Sequence, residues 1–465
     1  MNLKNVKIPL LILLFAVVAG CASRFDAGNV RNLHATNFSK DLEEHAAIVL
    51  PPDRPLGLSD CIQIAIENNL ELEQARINQR LAELNRKIAF TYFLPQINVE
   101  MTHAVMDKQP TRIIGGAAAP VSDKTVTETV ITAQQAVFVP ETWFLYEAFR
   151  GGEDISDRVR QRTEDQIRLQ VTALYFAALS HEAAGEAIAS GLEQARSLAA
   201  ETGALALEGM VMPSHVAQSL ALVRAQEAGL AANRRSLQET QSALLEAMGL
   251  SPAAAIHLKP ETPLVVEDQD LPDQILTAML SRPELFIADR NIDIETQKTR
   301  MAIAAFLPDL IGFASFTHTT DSFLKYSDSW MFGAAGVLSV FEGFRNVYEY
   351  RASGIREEKA RIQREQACLR IILEVMLARS RYDQAIEYGD VAIYELTAAR
   401  ERLTETDARW REGLLLPSER LDAFTRHAAA QANLAAADFR KQVAAATLLD
   451  VMGQSRKEED SGNAH

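Results

Sequence analysis

From Ser59 to Phe93 the apolar residues Ile62, Ala65, Ile66, Leu70, Leu72, Ile77, Leu81, Leu84 and Ile88 keep near-helical spacing, which predicts a helix with Ser59-Asp60 as its N-cap. Pro95 stops it. The period then changes to two: Ile97, Val99, Met101 and Val105 alternate with Asn98, Glu100 and Thr102, the signature of a strand with one apolar face, interrupted by His103. Pro110, Gly115-Gly116 and Pro120 mark residues 107–124 as a loop, and the β-branched run Thr125 to Thr132 supplies a returning strand. No proline occurs from about Glu141 to Thr202, so a helix of about 60 residues is expected, roughly 90 Å long at 1.5 Å per residue. The chain turns at Gly209 to Pro213. Val216, Val223, Leu230, Leu237 and Leu244 follow at intervals of seven, the mark of coiled-coil packing.

The same plan then recurs. Leu58-Ser59-Asp60, Glu71-Leu72 and Leu94-Pro95 are matched by Leu271-Pro272-Asp273, Glu284-Leu285 and Leu307-Pro308, each at an offset of 213 (271 − 58, 284 − 71, 307 − 94). Gly209, Pro213 and Met248-Gly249 are matched by Gly413, Pro417 and Met452-Gly453 at an offset of 204 (413 − 209, 452 − 248). A repeat of this length means two copies of one structural unit, with a nine-residue slip in a loop between Pro95 and Gly209. The first repeat is read as 58–250, with a β-hairpin at about 97–139 and a turn at 209–213. After a linker at 251–270, the second spans 271–453, with a hairpin at about 310–341 and a turn at 413–417. Its last helix is crowded with alanine at Ala428 to Ala430, Ala435 to Ala437 and Ala444 to Ala446, which permits close helix approach.

The ends of the chain add a destination. Lys4 and Lys7 precede an apolar run from Ile8 to Gly20, too short to span a bilayer comfortably but suited to a signal peptide, residues 1–20. Val18-Ala19-Gly20-Cys21 resembles a bacterial lipobox, in which the cysteine is lipidated and becomes the first residue. An ordinary signal peptide with a chance cysteine is the other reading. Ala22, rather than Asp, follows the cysteine, which by resemblance to sorting rules favours the outer membrane. Several acyl chains, at about 0.8 kcal/mol per buried methylene, anchor stably. Residues 21–57, with Pro51-Pro52 and Pro55, read as an extended tether, and 454–465 as a charged disordered tail. Cys61 and Cys368 sit singly in helical patterns and read as buried apolar residues. The formal charge of −15 excludes a basic nucleic-acid footprint.

Four strands per chain cannot close a membrane barrel, which takes about eight or more, so strands that enter lipid require other copies. The doubled element from Leu58 to Gln96 and from Leu271 to Pro308 resembles the TolC-like outer membrane efflux protein family, lipoprotein subtype. So do the junction Val340-Phe341-Glu342-Gly343-Phe344-Arg345 and the turn Trp410-Arg411-Glu412-Gly413-Leu414 to Leu421-Asp422. The resemblance implies a mainly α protein with a membrane β-barrel. Three copies of four strands would make a 12-stranded barrel, continued by a long α-helical barrel in the periplasm. It implies a homotrimeric, passive exit duct of a tripartite efflux or secretion system. The partners would be a periplasmic adaptor, a proton-driven inner-membrane transporter and outer-membrane lipid, with no nucleic acid and no cofactor beyond the lipid on Cys21. Gly209, Pro213, Gly413 and Pro417 would form the tip that docks the adaptor. Glu419 and Asp422 align with the acidic ring of the periplasmic gate; the bland reading is that both are helix-start carboxylates favoured by the dipole. In the first repeat His215 and Gln218 take their places. Trp410 and Leu415 replace a family tyrosine and arginine, and Val137 to Trp143, followed by Arg150-Gly151-Gly152, departs from the usual Gly-Gly-Arg junction.

Two other functions compete. His181-Glu182 begins like a zinc-protease helix, but Gly185 stands where the second ligand is needed, and no phosphate loop or nucleophile elbow appears, so an enzyme is not expected. A periplasmic adaptor or a structural coiled-coil lipoprotein also has long helices, but an adaptor has one hairpin of helices rather than strand pairs at two matched positions.

Overall fold

The structure is a computed structural model that describes residues 26–50, 54–260, 264 and 266–455. The expected lipidation site Cys21, the leader 1–20 and residues 456–465 of the tail lie outside the described residues. The chain divides into two compact units, Met1–Asn69 with Leu174–Thr262, and Leu70–Ala173 with Pro263–His465.

The first unit contains helices α1 (Ala27–Val49) and α2 (Leu58–Asn68), which is followed by α3 (Leu70–Thr91) of the second unit. The stretch expected as an extended tether is therefore largely helical: Asp26 caps α1 by accepting the N–H groups of Gly28 and Asn29 at 3.0 and 3.1 Å. The expected single helix up to Phe93 is broken at Asn69, whose extended backbone lets its amide donate to the Ala247 carbonyl at 2.8 Å. Gly57, rather than Ser59 or Asp60, is the N-cap of α2. Asp60 sits three residues in and accepts the Gly57 N–H at 3.0 Å, one half of a capping box. Around this end Cys61, Ala65, Tyr175, Leu244, Leu245 and Met248 are fully buried. The Tyr175 hydroxyl bonds the Lys259 and Leu56 carbonyls, where Leu56 and Leu258 form a parallel bridge.

The second unit holds the strands: β1 (Gln96–Val105), β2 (Thr111–Ile114), β3 (Ala117–Pro120), β4 (Thr125–Phe138), β5 (Asp309–Thr319) and β6 (Asp328–Val337). Residues 107–124, expected as plain loop, contain the small hairpin β2–β3, turned by Gly115 and Gly116 at φ 61° and 89°. The main sheet is antiparallel in the order β1-β4-β5-β6. The strand expected to reach Phe341 ends at Val337, because its partner β5 starts at Asp309, directly after Pro308. Register places Val99, Ile131, Phe316 and Trp330 in one row on one face, with Ile97, Ala133, Ala314 and Phe332 in the next. The opposite face carries the rows Asn98-Thr132-Ser315-Met331 and Glu100-Val130-Thr317-Ser329. The weak alternation of the second hairpin thus gains its meaning from its neighbours.

Helix α4 (Pro140–Leu207) begins in the second unit and ends in the first, leading to α5 (Pro213–Ala247). The second repeat supplies α6 (Leu271–Ser281), α7 (Pro283–Ala304), α8 (Arg345–Arg411) and α9 (Pro417–Val451). At 67 residues α8 is about 100 Å long. Within the second unit the helices follow the order of the strands. Arg86 of α3 pairs with Glu153 of α4, Arg290 of α7 with Asp154 of α4 at 3.1 Å, and Arg364 of α8 with Asp289 of α7. Buried Ala378, Ala385 and Ala392 of α8 recur at sevens, as do Ala423, Ala430 and Ala437 of α9, so these two helices approach closely through alanine heptads. Further along the pair, Ile371 and Val375 of α8 and Leu448 of α9 join a core with Ala278, Leu285 and Met452, each large side chain contributing about 1.5–3 kcal/mol by burial.

The glycine of each Met-Gly anchor has a steric reason. Gly249 and Gly453 end α5 and α9 at φ 74° and 71°. A Cβ on Gly249 would lie 2.2 Å from the Asn68 carbonyl oxygen, and one on Gly453 would lie 2.9 Å from the Ser281 Cβ. Asn68 and Ser281 are themselves repeat equivalents (281 − 68 = 213), so each copy packs its helix terminus against the break in its own first rod.

Candidate functional site

The two glycine–proline turns have the same backbone design. Gly209 at φ 73° ends α4, with the Met210 N–H donating to the Leu205 carbonyl at 2.9 Å; Gly413, also at φ 73°, ends α8, with the Leu414 N–H donating to the Arg409 carbonyl at 3.0 Å. Pro213 and Pro417 then occupy the first turn of α5 and α9, where a missing N–H costs little. Nothing lies within 4 Å of a Cβ built on Gly209 or Gly413, so here it is the left-handed φ alone that calls for glycine.

Side chains separate the turns. Glu419 is exposed and accepts the Leu416 N–H at 3.1 Å, capping α9. Asp422 is exposed and accepts from the Arg426 guanidinium at 2.9 Å, one helical turn along. Between them Arg420 bonds Asp407 at 2.7 Å and lies 5.5 Å over the Trp410 ring, fastening the start of α9 to the end of α8. Trp410 is therefore the platform for Arg420, while Leu415 is half-buried. Subtracting 204 from 407, 410 and 420 gives Gly203, Ala206 and Val216, so the first repeat carries no such side chains. Sequence reasoning singled out Trp410, Glu419 and Asp422 but not Asp407 and Arg420, which the same subtraction would have marked as differing between copies. In the first turn His215 is half-buried and Gln218 exposed.

Elsewhere the His181 ring contacts the Asn233 amide at 3.3 Å, and Asn233 donates to the His181 carbonyl at 2.7 Å. Among the described residues no group of three His, Cys, Asp or Glu is placed to hold a metal ion, and no helix is long and apolar enough to cross a membrane. Cys61 is buried; Cys368 is partly buried beside the core of the second unit.

Two matched helix–hairpin–helix repeats with glycine–proline turns and a shared four-stranded sheet are the arrangement that the sequence resemblance to TolC-like outer membrane efflux proteins implies. Residues 275–454, nearly the whole second repeat, match the family model described as outer membrane efflux protein, which confirms the resemblance read from the sequence. Solved structures extend the likeness over both repeats. A membrane protein from Pseudomonas aeruginosa matches at TM-score 0.75 and 18% identity, over 85% of this chain and 93% of that one. The Campylobacter jejuni CmeC outer membrane channel matches at 0.72 and 13%, over 87% and 88%. The open state of the Neisseria gonorrhoeae MtrE outer membrane channel matches at 0.71 and 19%, over 86% and 89%. No curated protein matches the sequence.

Proposed function

We propose that the protein is the outer-membrane exit duct of a tripartite efflux or secretion system, a homotrimer that conducts passively what an adaptor and an inner-membrane transporter deliver. The observation that carries this reading is the coincidence of two open ends in the second unit. The sheet ends in β1 and β6, and the helix order α3-α4-α7-α8 ends in the helices that precede β1 and follow β6. Both end helices leave apolar stripes exposed at coiled-coil spacing: Leu70, Ile77 and Leu84 with Leu81 and Ile88 on α3, and Ile355, Ile362, Leu369 and Met376 on α8. One end of a copy is thus suited to the opposite end of the next, a head-to-tail contact that closes into a ring.

The sheet has the proportions for the membrane. Ten residues of β1 rise about 33 Å, or about 25 Å at a tilt near 40°, the height of an outer-membrane apolar band. The row from Val99 to Trp330 would face lipid and the row from Asn98 to Ser315 the lumen. The solved relatives described as outer membrane channels support this, as does the lipobox-like Cys21, which would anchor the mature chain. Glu419 and Asp422 would line the periplasmic constriction, and the turns at Gly209–Pro213 and Gly413–Pro417 would receive the adaptor. No catalytic chemistry is required of the duct.

Purified protein in planar bilayers tests the reading directly. Discrete conductance steps from a particle of three chains are expected; a monomer that never conducts would sink it.

A further inference from the structure

Well away from the turns, the α8–α9 pair opens into a cavity of about 330 Å³. That is the lower end of the range for small-molecule sites, about 300–1,000 Å³. Its lining includes the small residues Ala378, Ala385 and Ala444 together with Tyr388 and Phe439. Arg381 and Arg440 line the same cavity from the two helices. Among the described residues neither guanidinium has a carboxylate or hydrogen-bond partner, whereas Arg379 close by is paired with Asp383 at 2.9 Å. The hollow thus has an apolar and aromatic lining with two exposed guanidiniums at its rim that none of the described carboxylates pairs with.

We propose that this cavity binds a small amphiphilic organic anion, an aromatic or alkyl carboxylate or sulfonate, with its apolar body against the alanine and aromatic lining and its head at Arg381 and Arg440. The shape separates this site from the helix-docking faces of the same unit. Those are ridges of exposed Leu and Ile at intervals of seven, whereas here the helix surface is hollow and rimmed by charge. A guanidinium pair donates to both oxygens of such a head group, a geometry a single lysine does not offer. The proposal does not depend on what the duct exports.

The test uses the full-length assembled protein in lipid nanodiscs and 2-naphthalenesulfonate as the probe, followed by equilibrium dialysis against protein-free nanodiscs. Saturable binding of one probe per chain is expected. Arg381→Ala and Arg440→Ala should each weaken it about tenfold or more, as loss of a charged hydrogen bond does, and Ala444→Trp should abolish it by filling the hollow. Each variant is checked for unchanged oligomer mass and bilayer conductance, which report on the duct itself. Absence of saturable binding, or binding indifferent to both arginines, overturns the proposal. So does disulfide crosslinking of Ala444→Cys to a second chain, since a neighbouring copy would then occupy the hollow.

Discussion

Arg162 of α4 and Asp450 of α9, 288 positions apart, hold each other at 2.7 Å, with the Asp450 side chain 3% exposed. The same guanidinium reaches Glu284 at 2.9 Å, and Glu284 is gripped by Arg282, which also bonds Glu374. Four helices from both repeats thus meet in one charge cluster, beside the apolar core of Leu285, Ile371 and Leu448. Removing Asp450 leaves the largely buried Arg162 with Glu284 alone, a carboxylate already held by Arg282. Asp450→Ala is expected to destabilise the protein by about 3–5 kcal/mol, read as a lowered urea midpoint at constant protein concentration; a midpoint unchanged from wild type would show the cluster to be dispensable.

Acid should loosen the same junction. Burial alone would raise the Glu284 carboxyl, but the Arg282 hydrogen bond and the charges of Arg282 and Arg162 prevail and hold it below its ordinary value of 4.5. A carboxylate with a depressed folded-state pKa contributes its stability in full above the unfolded value, and loses it as pH falls through the folded one. Thermal scans should therefore show a steeper fall in Tm below pH 4.5 for wild type than for Glu284→Gln, with the wild type the more stable at pH 7.

The four repeat glycines should respond differently to alanine. At Gly209 and Gly413 only the left-handed φ opposes a Cβ, so Ala should cost about 1–2 kcal/mol. At Gly249 and Gly453 the same φ is joined by overlap with Asn68 and Ser281, so the loss should be clearly larger, visible as a lower yield of folded protein and a lower melting temperature. Equal effects at all four sites would contradict the packing described for the Met-Gly termini.

Charge at the second turn can be tuned from outside the predicted pair. Arg426 neutralises Asp422, so Arg426→Ala should raise cation selectivity in bilayers, while Asp422→Ala should lower it. Glu419→Ala should lower it too and also cost about 0.5–2 kcal/mol, since Glu419 accepts the Leu416 N–H. Reversal potentials in asymmetric KCl measure this; identical values for all three variants would remove these residues from the conduction path.

The sequence by itself determined the doubling, the period of each rod and the positions of both turns. These follow from local rules: apolar spacing, proline stops and glycine at left-handed φ act over a few residues and survive in one dimension. The break at Asn69 and the end of β6 were decided by strand and helix partners. Asn69 bends where the Ala247 carbonyl, 178 positions away, is available, and β6 stops where its hairpin partner β5 runs out. The charge cluster and the arginine-rimmed hollow are wholly tertiary, because Arg162, Arg282, Glu284, Glu374 and Asp450, like Arg381 and Arg440, read one at a time as ordinary helix-surface charges. Only packing takes some of them out of water and leaves others facing a cavity, and burial and distance set their energetics.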